Sequence, residues 1–168
     1  MIDLLDQAKP HVFSVIALQE VRSISREYNI PTYHRLEYCT RDMNDPIPNP
    51  NCGGGVGIYI HNQFSYEVLN IESAVIPGVY ESIWVKIEIS KGKYKIIGNV
   101  YRPNSAPLAD LGRAIANHKC IIESLKTNQI YRNCDIQVLS DFNVNLLNFA
   151  QHDLTNTYLE SMFSLFLL

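Results

Sequence analysis

The sequence has no cysteine pair at metal-knuckle spacing. Cys39, Cys52, Cys120 and Cys134 stand far apart, which argues against a zinc ribbon. His11, His34, His61, His118 and His152 show neither an H-x-x-x-H nor an H-E-x-x-H spacing, so helix-borne zinc hydrolases are set aside and each is read as a surface or half-buried side chain. Basic charge is not in excess. Lys plus Arg is 14 against 17 for Asp plus Glu, a net charge of -3, so any affinity for nucleic acid has to come from a local groove or a metal ion. No apolar run can span a bilayer: the longest, Met162 to Leu168, is short and broken by Ser164. Asp3 and Asp6 sit where a secretory signal would be basic and then apolar, so an intracellular setting with reduced cysteines is expected. Internal repeats and low-complexity linkers are likewise missing.

What remains suits one folded domain with its own core: 168 residues, 46% apolar and 18% charged. Ile2 to Ala8 reads as a short helix closed by Lys9-Pro10. Ser14 to Leu18 is a compact apolar run, long enough for one buried strand, and it ends at Gln19-Glu20. Arg41 to Asn51 is a loop rich in Pro and Asn. Gly53-Gly54-Gly55 then leads into a strand, Val56 to His61, and Asn62-Gln63 separates it from a second, Phe64 to Leu69, which suggests a hairpin. In Ser82 to Ile89 the alternation puts Ile83, Val85, Ile87 and Ile89 on one face and Trp84, Lys86 and Glu88 on the other. Lys91-Gly92-Lys93 turns this strand back into Tyr94 to Tyr101. After the loop Arg102 to Pro107, Leu108 to Thr127 reads as a helix and Asp135 to Leu139 as a short buried strand. The last segment, Leu154 to Leu168, places Leu159, Met162, Phe163, Phe166 and Leu167 on one helical face. This order implies antiparallel sheets covered by helices, a mixed α/β class.

Three polar groups fall at strand ends: Glu20, Tyr101-Arg102, and Asp141-x-Asn143. Brought to one edge, they form an all-oxygen set suited to a hard divalent cation that keeps its waters. Beside such an ion, an Asp and an Asn can align or deprotonate water for attack on a phosphate ester. Singly, each has a plainer reading. Glu20 can be an exposed residue after a strand, Asp141 and Asn143 an Asx turn, and Tyr101-Arg102-Pro103 a strand ended by proline. The glycines lack a following Lys-Ser or Lys-Thr, so a tight turn is preferred to a phosphate cradle.

Ala17-Leu18-Gln19-Glu20, Gly53-Gly54-Gly55-Val56-Gly57-Ile58-Tyr59, Val100-Tyr101-Arg102-Pro103 and Ser140-Asp141-Phe142-Asn143 occur in this order. Together they resemble the endonuclease/exonuclease/phosphatase superfamily, with its deoxyribonuclease I-like fold. The glycine run and the Tyr-Arg-Pro loop are more narrowly similar to the endonuclease domain of non-LTR retrotransposon polyproteins. The resemblance implies a four-layer α/β (α+β) sandwich of two mainly antiparallel sheets flanked by helices. It implies a Mg²⁺-dependent phosphodiesterase that nicks DNA, with Mn²⁺ as a substitute ion. Glu20 would hold the metal, Tyr101 would hydrogen-bond the scissile phosphate, and Arg102 would contact a neighbouring phosphate. Asp141 would position or activate water, and Asn143 would hold phosphate and water in line. DNA would be the substrate, a reverse transcriptase domain of the same polyprotein the partner, and the nucleus the working compartment, with no membrane involved.

The sequence also departs from that pattern. Residues 1–168 are expected to be most of one domain with both ends cut. The family's first strand, with its Asn, and its last strands, with an Asp and then an Asp-His pair, are not found; His152-Asp153 has the reverse order. Ser140 stands where the family has Gly, and Asn145 where this branch often has Asp. The segment alone is accordingly expected to be weak or inactive, and poorly soluble or partly molten; a sharp melt with a monomeric gel-filtration peak would count against this. Competing readings are a non-catalytic relic of the same fold, a phosphatase of the same superfamily acting on a lipid or small-molecule phosphate, and an unrelated α/β binding domain.

Overall fold

The computed structural model describes residues 13–21, 29–39, 54–71, 74–147 and 153–166. The expected helix over Ile2 to Ala8, the loop Arg41 to Asn51, and Gly53, Cys52, His11 and His152 lie outside the described residues.

Two sheets stack face to face. The smaller has the order β1-β3-β2, formed by Val15–Gln19 (β1), Glu37–Cys39 (β2) and Val56–Ile60 (β3), all antiparallel. The larger runs β4-β6-β7-β8, from Tyr66–Val68 (β4), Tyr80–Ser90 (β6), Lys93–Tyr101 (β7) and Asp135–Asp141 (β8), while Val75–Ile76 (β5) also pairs with β6. Leu111–Thr127 (α1) and Asp153–Phe166 (α2) cover its other face.

The β6/β7 hairpin forms as the alternation predicts, and Gly92 takes the positive φ of 76° that its turn requires. The expected hairpin over residues 56–69 does not form. β3 is buried along its length and has β1 and β2 on its two edges, so β4 pairs instead with β6 in the other sheet. β7 and β8 are parallel, which requires a crossover, and α1 supplies it. The expected helix over 108–127 begins as a single 3₁₀ turn, Leu108–Asp110, before the α-helix starts at Leu111.

β6 is not divided into a buried and a solvent face. Ile83, Val85 and Ile87 meet Val56, Ile58 and Ile60 across the gap between the sheets. Trp84, on the opposite face as the alternation predicts, is buried beneath the helices with Ile115, Ile122 and Leu125. Its ring lies so close to Gly98 that a Cβ there would stand 2.5 Å from Cζ3. On α2 the inward positions are Thr155, Tyr158, Met162 and Leu165, an i, i+3, i+7, i+10 stripe, while Phe163 points outward at 59% exposure. The period-two argument sorted β6 onto its two faces, and the period-3.6 argument found α2 but misplaced Phe163.

His118 is not a surface or half-buried histidine. It is 1% exposed on the inner face of α1, its Nδ1 3.0 Å from Tyr80 Oη, between the rings of Trp84 and Phe142. Burial holds its pKa down to about 4. The unfolded chain, with an ordinary imidazole near 6.5, therefore takes up the proton first as pH falls. Stability from this site is complete above about pH 6.5 and drains away toward pH 4, by up to about 3 kcal/mol. Urea melts at pH 7.5 and 5 should show this loss, and His118→Gln should flatten it; an equal slope in both proteins would contradict the assignment.

Candidate active site

The site is built at one end of the gap between the sheets. Tyr101 is the last residue of β7, and the ladders place Glu81 of β6 and Asp141 of β8 directly beside it. Residues paired in a ladder share a face, and Tyr101 belongs to the inter-sheet core. Across the gap, β1 delivers Glu20. The Tyr101 hydroxyl donates to Glu20 Oε1 at 2.8 Å, joining the two sheets at their rim.

Glu20 is exposed and has φ 55°, a left-handed backbone that non-glycine residues seldom adopt. The ladder explains this. Gln19 faces Val56, but Val21 rather than Glu20 donates to Gly55 O, at 3.1 Å. Glu20 is thus an extra residue of the β-bulge kind, and the bulge re-aims its side chain. The other non-glycine residue with positive φ is Asn143, at 49°. Among the described residues, the only two in this conformation are both expected site residues, and such outliers concentrate where function over-determines the backbone.

Asp141 and Asn143 do form the Asx turn, with Asn143 N–H donating to Asp141 Oδ1 at 3.1 Å. Asn143 Nδ2 also donates to Arg102 O at 2.8 Å, and Arg102 N–H to Asp141 O at 2.9 Å, so the two loops are stitched together. Phe142 anchors them from below, its ring 4.8 Å from Tyr158 and 5.4 Å from His118. Ser140 hydrogen-bonds the Tyr158 phenol, whose pKa burial raises.

Arg102 does not join the cluster as expected. It is 3% exposed, with Nη2 donating to Ala106 O at 2.9 Å and Pro107 O at 3.1 Å, and burial lowers its pKa. In this arrangement the guanidinium shapes the loop over 102–107. Glu20, Tyr101, Asp141 and Asn143 are brought to one rim.

No protein-family model and no curated protein matches the sequence. Solved structures do. The human Nocturnin catalytic domain, determined with a bound sulfate anion, superposes with a TM-score of 0.55 at 14% identity over 84% of this chain and 57% of its own. ANGEL2, a 2',3'-cyclic phosphatase, gives 0.53 at 16% identity over 82% of this chain and 42% of its own. Both have the endonuclease/exonuclease/phosphatase-type fold. The chain has the deoxyribonuclease I-like fold. At these identities the likeness is one of fold, and the chain spans about half the length of these neighbours.

Within this deoxyribonuclease I-like sandwich, sequence reasoning missed two residues. Asn99 is buried between the sheets. Its Nδ2 donates to Leu18 O at 2.9 Å and Gly57 O at 2.8 Å, and its Oδ1 accepts from Gln19 Nε2 at 2.6 Å. Glu81 is wholly buried and accepts from Gly55 N–H at 2.6 Å. The available signal was a polar residue on the inner face of a strand with apolar neighbours on both sides, which has to find a partner when buried. Glu81 also faces Cys39, whose thiol is pushed up to about 11 by burial and by this carboxyl group, which makes it a poor nucleophile.

Proposed function

We propose that this chain carries the metal- and water-handling residues of a Mg²⁺-dependent phosphodiesterase that nicks DNA for a non-LTR retroelement. The observation that carries the reading is the rim itself: Glu20, in left-handed backbone, accepts from the Tyr101 hydroxyl, Asp141 lies beside Tyr101 in the ladder, and Asn143, also left-handed, is tied to Asp141. The finer assignment to DNA and a retroelement rests on the resemblance of the glycine run and the Tyr-Arg-Pro loop.

The donor set fits a hard cation. Glu20, Tyr101, Asp141 and Asn143 all offer oxygen. Among the described residues no cluster of three His, Cys, Asp or Glu could hold a metal by itself. That suits Mg²⁺, which binds through one or two carboxylates and takes its other ligands from water and substrate phosphate. Glu20 would hold it, and the bound ion would supply positive charge to a phosphate oxygen. Tyr101 aims the Glu20 carboxyl through its one hydroxyl proton, which would turn to a phosphate oxygen once a cation holds that carboxyl. Asp141 is exposed and able to orient water or accept its proton. Asn143, fixed by its bond to Arg102 O, holds that water in line.

A substrate panel tests this with the full-length gene product and Mg²⁺. Supercoiled plasmid should be converted to nicked circle, while a 2',3'-cyclic nucleotide and a phosphoinositide remain intact. Hydrolysis of either small phosphate without plasmid nicking would assign a phosphatase, and no turnover of any substrate would assign a non-catalytic relic. Among the described residues no helix is long and apolar enough to cross a membrane.

A further inference from the structure

Glu81 is a carboxyl group with no exposed surface, placed directly beside Tyr101 in the ladder and accepting a hydrogen bond from the Gly55 backbone N–H. Burial of such a group is costly unless it is hydrogen-bonded, and the 2.6 Å contact to Gly55 N–H is short enough for a charge-assisted bond. Gly55 has a second role. Its carbonyl accepts from Val21 N–H, the bond that closes the bulge around Glu20. Its φ is 90°, and a Cβ there would stand 2.9 Å from Val21 O, so the glycine permits the close approach of the two strands.

The contacts form one relay: Glu81 carboxyl, Gly55 peptide, Val21 N–H, then the left-handed backbone of Glu20. Asn99 grips the preceding side of the bulge through Leu18 O and the Gln19 side chain. A left-handed glutamate persists only where its surroundings over-determine it, and these contacts are what does so.

We propose that Glu81 is a positioning residue that fixes the aim of Glu20 through the Gly55–Val21 backbone. This rests on the reading of Glu20 as metal ligand, but its structural half can be measured without any activity.

The experiment compares Glu81→Ala, Glu81→Gln and Glu81→Asp by amide hydrogen exchange and by the Mg²⁺ concentration giving half-maximal plasmid nicking. In Glu81→Ala, exchange at Gly55 and Val21 should rise about tenfold or more relative to core amides such as Val85 and Ile97. The Mg²⁺ requirement should rise about 10-fold to 100-fold, while the rate at saturating Mg²⁺ stays within about threefold of wild type. Glu81→Gln keeps an acceptor oxygen and should remain close to wild type in both measurements. Should the alanine protein fail to fold, Glu81→Asp decides, because it keeps the carboxyl group but draws it back from Gly55 and should show the same selective loss. Unchanged exchange at Gly55 and Val21, or an equal rise at all amides, overturns the relay. A Gln variant with wild-type exchange and a raised Mg²⁺ requirement would make Glu81 a supplier of charge and would also overturn it. If wild-type protein shows the relay by exchange but nicks nothing, the proposed function fails while the relay stands.

Discussion

Glu20→Gly should lower Mg²⁺-dependent nicking by about 10²–10³-fold while leaving stability within about 1 kcal/mol of wild type. The two halves of this result come from one geometry. The carboxyl group is the feature that would hold the ion, and Tyr101 Oη aims it from 2.8 Å. The same residue occupies a left-handed backbone at φ 55°, where glycine pays no steric penalty. Relief of that strain offsets the extra freedom glycine gives the unfolded chain, so the activity lost cannot be put down to unfolding. Tyr101→Phe should cost less, about tenfold, since it removes one donor and leaves the carboxyl in place. Rates at saturating Mg²⁺ beside urea melts of the same proteins check both. A Glu20→Gly protein that nicks at the wild-type rate would remove Glu20 from the site.

Trp84→Ala should destabilise the fold by about 3–5 kcal/mol, a large share of the 5–15 kcal/mol that holds a typical domain together. The ring is buried between β6 and the helices, packs against His118 with centroids 6.0 Å apart, and donates from Nε1 to Ser82 Oγ at 2.9 Å. Truncation opens a cavity that rigid sheet and helix backbones cannot close. The reverse error, Gly98→Ala, drives a methyl into the same ring and should cost about 1–3 kcal/mol. Trp84→Leu should recover part of that second loss, because the two positions share one volume. Additive losses in the double variant would mean that ring and glycine do not meet.

How far the sequence disclosed the molecule depended on how many layers cover each segment. Where one rule acts alone, as in the β6/β7 hairpin with Gly92 at its turn, alternation and turn chemistry were enough. The partner of β4 was hidden because hairpin spacing is local, whereas β3 is already paired on both edges. Alternation put Trp84 on the face opposite Ile83, Val85 and Ile87, where it lies, whereas Phe163 was put on the inward face of α2 and points out. The middle of β6 is covered on both sides, while α2 buries only the stripe from Thr155 to Leu165. Motif order named Glu20, Tyr101, Asp141 and Asn143, and the fold gathers them. It could not name Glu81 and Asn99, whose importance lies in backbone groups that only the folded chain brings near. Nor could it foresee that Arg102 bonds its own loop.

The most direct test of the site is plasmid nicking by the full-length wild-type gene product and its Asp141→Asn variant, side by side, with Mg²⁺ and with EDTA. The asparagine keeps an Oδ1 acceptor for the Asn143 N–H and so preserves the turn, but it removes the carboxylate that would orient water. The account predicts nicking by wild type with Mg²⁺, none with EDTA, and a fall of at least about 10²-fold in Asp141→Asn. Equal nicking by the two proteins, or nicking that persists in EDTA, would contradict it.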